Sequence, residues 1–220
     1  MSEYVHGIQR GWLTGFCRAS KYLMIATLIK NILLFLLLWW LIGIFLGFFS
    51  LGRQDFLNLG EELTFLTLNP QMQLIMLGSM ISYLLWLYAV FGEMVPSLRE
   101  LESQGISLGN SLNIVIVGAI ATLILTAVQI TILSLVYLIL SNVIALLIIY
   151  LLAFSILITY VLTYIGFFLV FDKLGHLLGV RRLVTAGVLV LISAFIIFLG
   201  PIAWFISFMT ARKLLISTTV

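Results

Sequence analysis

Residues 103–171 read SQGISLGNSLNIVIVGAIATLILTAVQITILSLVYLILSNVIALLIIYLLAFSILITYVLTYIGFFLVF. These 69 positions hold no Asp, Glu, Lys or Arg, and most are Leu, Ile, Val, Ala, Phe or Tyr. A helix needs only about 20 apolar residues to cross a bilayer. A water-soluble domain could not hide such a run, so this stretch reads as two membrane crossings. The chain turns at Ser141-Asn142, dividing the run into about Ser111 to Leu140 and about Val143 to Phe171.

Three more apolar segments flank it. The first covers about Leu23 to Ser50 and is interrupted near its start by Lys30. The second covers about Gln71 to Met94, behind Asn69 as N-cap and Pro70 as first helical residue. The last covers about Leu183 to Ala211. The expected fold is all-α: a polytopic integral membrane protein with five transmembrane helices. Composition agrees, with 63% hydrophobic and 9% charged residues, against roughly a quarter charged in soluble domains. The longest loop, 53–73, is too short for a core of its own. No cleavable leader is expected, because the first apolar stretch is far longer than a signal h-region.

Lys and Arg placement predicts orientation. With five crossings and the N-terminus inside, the inner segments carry eight positives and the outer segments three. The expectation is therefore a cell-membrane protein with a cytoplasmic N-terminus and an outer C-terminus. Dividing the uncharged run into three crossings lowers the contrast to seven against four and demands very short turns.

Residues 1–22 form an amphipathic pattern at 100° per residue. Tyr4, Val5, Ile8, Trp12, Phe16 and Ala19 fall on one side, and Glu3, Arg10, Arg18 and Lys21 on the other. That pattern predicts a helix lying in the membrane interface ahead of the first span. Gly7, Gly11 and Gly15 make a lane along its edge. The lane reads either as part of a helix that orients the first span or as a docking element for a partner.

Small residues also recur on every span. Gly43 and Gly47 mark the first, and Gly78, Ser82, Ala89 and Glu93 the second. Gly118, Thr122, Thr126 and Gln129 share a face of the third, and Ser155, Thr159, Thr163 and Gly166 a face of the fourth. Folding at Ser141-Asn142 sets those two stripes at matching depth. Lipid gives no hydrophobic drive for helix association, so such stripes are expected packing seams.

Chemistry is sparse. One cysteine excludes an internal disulfide. The two histidines, His6 and His176, lie outside the spans, so no intramembrane haem or His-rich metal site is expected. No phosphate-cradling loop, paired carboxylates or nucleophile constellation is visible. The expectation is no cofactor, no metal and no catalysis. Glu93 is the one acidic residue at a span end, read as a functional ionisable group or as an anchor that snorkels or pairs with Arg99. Lys173, Arg181 and Arg182, in the loop after the uncharged run, are expected to meet anionic headgroups.

The stretch from Tyr164-Ile165-Gly166 through Asp172-Lys173-Leu174-Gly175 to Thr185-Ala186-Gly187, then Leu199-Gly200-Pro201-Ile202-Ala203-Trp204, resembles uncharacterised multi-spanning archaeal membrane proteins. It covers about a quarter of the chain. Five spans with an inner N-terminus also resemble Yip-type proteins in architecture. Neither resemblance implies a catalytic residue.

The function expected from these readings is a non-catalytic subunit or scaffold of a larger membrane assembly, such as an energy-converting or secretion complex. Its expected partners are lipids and other membrane subunits, not nucleic acid. The alternative is a small homo-oligomeric transporter or channel using Glu93 and the Thr/Gln stripe.

Overall fold

The computed structural model describes residues 10–50, 70–139 and 143–217. Their regular structure is helical: α1 (Arg10–Ser50), α2 (Pro70–Leu87), a π-helical turn (Tyr88–Met94), α3 (Val95–Ser103), α4 (Asn110–Ile139), α5 (Val143–Leu177), α6 (Arg181–Ser193), a 3-10 turn (Ile197–Leu199) and α7 (Gly200–Ser217). Five stretches are long and apolar enough to cross a membrane: Gly11–Trp39, Gln73–Ser103, Asn110–Gln129, Leu151–Leu177 and Ile197–Ser217. The protein is a multi-pass, all-α membrane protein.

Local chemistry explains the boundaries. α2 begins at Pro70, where a missing N–H is harmless. Pro96 removes the donor that the Gly92 carbonyl would take in an α-helix. Just before it the ladder widens, with Val95 N–H reaching back to Val90 O. The helix does not break there, so α2, the π turn and α3 form one rod. α5 ends at Gly179, whose φ of +66° suits glycine. Val180 N–H bonds Gly175 O at 2.8 Å and closes the turn that sends α6 back along α5.

α1 is the central helix. The α2–α3 rod runs antiparallel to it: Leu33 meets Gly78, Ser82 Oγ donates to Ala26 O at 2.8 Å, and Gly15 abuts Ser97. α7 runs antiparallel along another face, where Gly200 lies against Thr27 and the Ser20 and Ser207 hydroxyls share a 2.9 Å hydrogen bond. α4 and α5 form a separate antiparallel hairpin. It joins the rest through an aromatic cluster, in which Phe171 packs edge-on to Phe16 at 5.6 Å and Trp204 packs against Phe167 and Phe171 at 5.2 and 5.5 Å. Those rings and Leu23, Leu98, Leu101 and Leu174 are fully buried. The outward faces carry Phe35, Trp39, Leu74, Met80, Ile124 and Phe154, all exposed to the lipid side.

Two sequence expectations change. From Arg10 onward the N-terminal amphipathic stretch is no separate interfacial helix but the first turns of α1. Its apolar residues Trp12, Phe16 and Ala19 are buried by this chain's own helices. The segment expected as one span from about Leu183 to Ala211, kinked at Pro201, is two antiparallel helices. It breaks at Ala194–Leu199, where the Asn31 side-chain amide donates to Ile197 O at 3.3 Å. Because α6 climbs along α5 and α7 descends along α1, the end of α7 returns to the level where α1 starts. The described ends thus lie at one end of the bundle, not at opposite ends. That end collects Arg10, Arg18, Lys21, Arg99, Lys173, Arg181, Arg182, Arg212 and Lys213, nine of the eleven Lys and Arg residues.

Candidate functional site

Between α1–α2 and the α4–α5 hairpin lies a cavity of about 190 Å³. Helical spacing delivers its lining. α1 offers Ala26, Thr27 and Lys30; α2 offers Ser79, Ser82, Tyr83 and Trp86 along one face; α4 offers Thr122; α5 offers Tyr160 and Tyr164, one turn apart. Tyr83 and Trp86 stack at 6.1 Å with a 9° interplanar angle and form an aromatic wall.

Lys30 is the only cation in this lining. Its Nζ donates to the Tyr160 hydroxyl at 3.2 Å and sits 4.5 Å from the Tyr160 ring centroid. The Tyr160 and Tyr164 hydroxyls are 2.6 Å apart, and Tyr164 is buried. Among the described residues no carboxylate lines the cavity: Glu93, Glu100, Glu102 and Asp172 all lie toward the basic end. Lys30 is nine residues beyond Lys21, about 14 Å along the axis at 1.5 Å per residue. With the basic end at one interface, that is the middle of a hydrocarbon layer about 30 Å thick.

The neighbouring hydroxyls are already committed as donors. Thr27 Oγ1 bonds Leu23 O at 2.8 Å, Ser79 Oγ bonds Ile75 O at 2.8 Å, and Ser82 Oγ bonds Ala26 O. Thr122 Oγ1 bonds Gly118 O at 2.8 Å and lies 3.1 Å from Thr159 Oγ1. Tyr83 OH is buried without a partner.

Lys30 is the residue that sequence reasoning passed over. It was counted with the N-terminal positives, although a lysine inside an apolar run is itself the signal. Glu93 was singled out instead. It is buried in the π-helical turn, accepts a 3.0 Å hydrogen bond from Tyr88 OH and pairs with Arg18 at 3.4 Å. Its partner is Arg18 on α1, not the exposed Arg99. The arrangement ties α1 to the second rod at the basic end and does not face the cavity.

The expected stripes on α4 and α5 do meet. A Cβ added at Gly118 would fall 2.9 Å from Thr163 N, and one at Gly166 would fall 2.7 Å from Val115 N. Thr126 and Ser155 turn their hydroxyls onto their own helices' carbonyls, at Thr122 O and Leu151 O, and Gln129 is half-buried. The stripe is a close-packed seam beside the cavity, and of its residues Thr122 lines the cavity. The glycine lane of α1 also closes internally. A Cβ at Gly11 would strike the Glu100 carboxylate, and one at Gly15 would lie 2.9 Å from Ser97 Cβ. Gly7 lies outside the described residues, and the surroundings of Gly43 and Gly47 lie outside the described side chains.

Of the three expected headgroup contacts, Arg181 and Arg182 are exposed at the start of α6. Lys173 is turned inward: its Nζ donates to Leu108 O at 2.6 Å and holds the turn before α4. Among the described residues no three His, Cys, Asp or Glu side chains gather into a metal-binding group. No family model, curated protein or solved structure matches the chain.

Proposed function

We propose that this chain is a small, non-catalytic membrane carrier that takes a ligand into the cavity between α1–α2 and α4–α5. The observation that carries this reading is Lys30, a cation at mid-depth with no carboxylate in its cavity. Ionisable groups inside a bilayer are costly and usually mark ligand or ion pathways. Pockets with aromatic walls and a few convergent polar groups are the usual form of small-ligand sites. The alternative of a scaffold drew on small-residue stripes that needed outside partners. Gly11, Gly15, Gly78, Gly118, Gly166 and Gly200 each abut this same chain, so those six glycines lend no weight to hetero-oligomeric partners. The carrier reading replaces the charged pathway expected at Glu93 with one centred on Lys30.

The orientation that fits best puts the basic end in the cytoplasm. The starts of α1 and α6 and the end of α7 then all face the cytoplasm, in place of an outer C-terminus.

Cysteine accessibility tests the carrier reading. On a Cys17→Ser background, Ser79→Cys and Thr122→Cys place thiols on the cavity wall, and Leu84→Cys and Ile124→Cys place them on lipid-facing surface. In proteoliposomes a water-soluble methanethiosulfonate should modify the first pair and spare the second. Equal protection of all four would sink the reading.

A further inference from the structure

We propose that the cavity at Lys30 binds a single oxyanion, a carboxylate or phosphate, whose apolar remainder lies against Tyr83 and Trp86. The inference rests on the carrier reading and names the chemistry of its ligand.

Lys30 has three N–H groups, and one is taken by Tyr160. The Tyr160 and Tyr164 hydroxyls carry two hydrogens between them, and their mutual bond takes one. Tyr160 OH donates to Tyr164 OH, so the hydrogen left over is on the buried Tyr164 hydroxyl, 2.6 Å from the oxygen that Lys30 bonds. The serine and threonine hydroxyl hydrogens, in contrast, are bound to backbone carbonyls. The free hydrogens therefore lie on one chain, Lys30–Tyr160–Tyr164, that carries one positive charge.

Charge gives the second argument. Lys30 is exposed on the protein surface, yet at mid-depth that surface faces hydrocarbon, and snorkelling does not carry the ammonium to the basic interface about 14 Å away along α1. The Tyr160 ring face attracts the ammonium, yet a ring quadrupole does not neutralise it. With no carboxylate in the lining, an incoming anion would remove the net charge and accept the free hydrogens together. Bonds of that kind are charge-assisted and stronger than neutral ones.

Shape gives the third. A space of about 190 Å³ holds a headgroup and a few carbons, not a folded partner. Its remaining wall is aromatic, which favours an apolar continuation over a bare inorganic ion. The oxyanion could enter on a lipid-like molecule or from water, and the chemistry at Lys30 is the same for both.

Trp86 lines the cavity and serves as reporter. The full chain in neutral dodecyl maltoside micelles is titrated with 9,10-dibromostearate, whose bromines quench tryptophan, and in parallel with its methyl ester. Trp86→Phe identifies the signal that belongs to the cavity. The expected result is saturable quenching by the acid, with the ester weaker by about tenfold or more, as loss of a charged hydrogen bond implies. Lys30→Met should weaken acid binding by about tenfold, Lys30→Arg should restore most of it, and Tyr160→Phe should weaken it by a few-fold. Gel filtration confirms that each variant stays folded, and the Arg and Phe variants keep the test decisive if Met does not. Competition by acetate or inorganic phosphate assigns the oxyanion to water; its absence assigns it to lipid. Equal quenching by acid and ester overturns the oxyanion while leaving a ligand-binding cavity. Unchanged acid binding by Lys30→Met does the same. Absence of quenching by both probes overturns the cavity's carrier role as well.

Discussion

Replacing Gly166 by alanine puts a methyl carbon 2.7 Å from Val115 N, 2.8 Å from Val115 Cγ2 and 3.1 Å from Val115 Cα. Two of these atoms are backbone and cannot rotate away. Carbon contacts are optimal at about 3.5–4.0 Å, so α4 and α5 must separate by roughly 0.5–1 Å. A gap of that size forfeits a quarter to a half of the dispersion well of each contact it opens. It also stretches the 3.1 Å contact between Thr122 and Thr159, one turn beyond Gly118. Overpacking of this kind costs about 1–3 kcal/mol. Against it stands the helix propensity of alanine over glycine, worth up to about 1 kcal/mol. With the full propensity gain, the net expectation is a loss of about 0–2 kcal/mol.

Gly118→Ala should behave alike, because its added carbon meets Thr163 N at 2.9 Å and Cα at 3.1 Å. The double variant should cost less than the two singles together, since one separation of the helices relieves both clashes. Reversible unfolding of the full chain in mixed micelles, titrated with SDS, measures each difference. Ala127→Leu and Ala153→Leu add more volume at exposed positions of the same hairpin and serve as controls. If the glycine variants are as stable as those controls, the seam is not where the reasoning puts it.

Gly15→Ala should loosen α3 more than Gly11→Ala, because it meets Ser97 Cβ, whereas Gly11 meets only the movable end of Glu100. Hydrogen exchange across 95–103 reads this, and equal rates would refute it. Arg18→Met should destabilise the basic end by about 1–3 kcal/mol by leaving the buried Glu93 carboxylate with Tyr88 alone. Glu93→Gln should cost less in the same SDS titration, because it leaves no buried charge. Lys21→Cys and Lys213→Cys, on the Cys17→Ser background, should react with an impermeant maleimide from the same face of sealed vesicles. Labelling from opposite faces would contradict the return of α7 beside α1.

Much of this architecture is readable from composition. A 69-residue uncharged run has one physical home, and its length calls for two crossings; the turn expected at Ser141-Asn142 itself lies outside the described residues. α4 and α5 accordingly run Asn110–Ile139 and Val143–Leu177, close to the expected bounds. Their glycine and threonine stripes meet because small side chains are what let helix backbones approach in lipid. Pro70 opens its helix for an equally local reason.

Partner choice was not readable. The same small-residue pattern suits a neighbour in this chain or in another, and only the three-dimensional packing decides. It gave Gly11 to Glu100 and Gly15 to Ser97. The tertiary structure also separated two segments that hydropathy joined: Ile196 and Leu199 are as apolar as their neighbours, and a carbonyl freed at the break, Ile197 O, is met by Asn31, 166 positions away. Lys30 shows the same limit. Its apolar surroundings were visible in the sequence. That its charge stands beside two tyrosines 130 and 134 positions away, with no carboxylate in the cavity, is a property of helices brought together. The sequence by itself determined which segments enter the membrane, because transfer from water is a local sum over side chains. The tertiary structure decided what those segments face, because a contact needs two partners and one helix specifies only its own half.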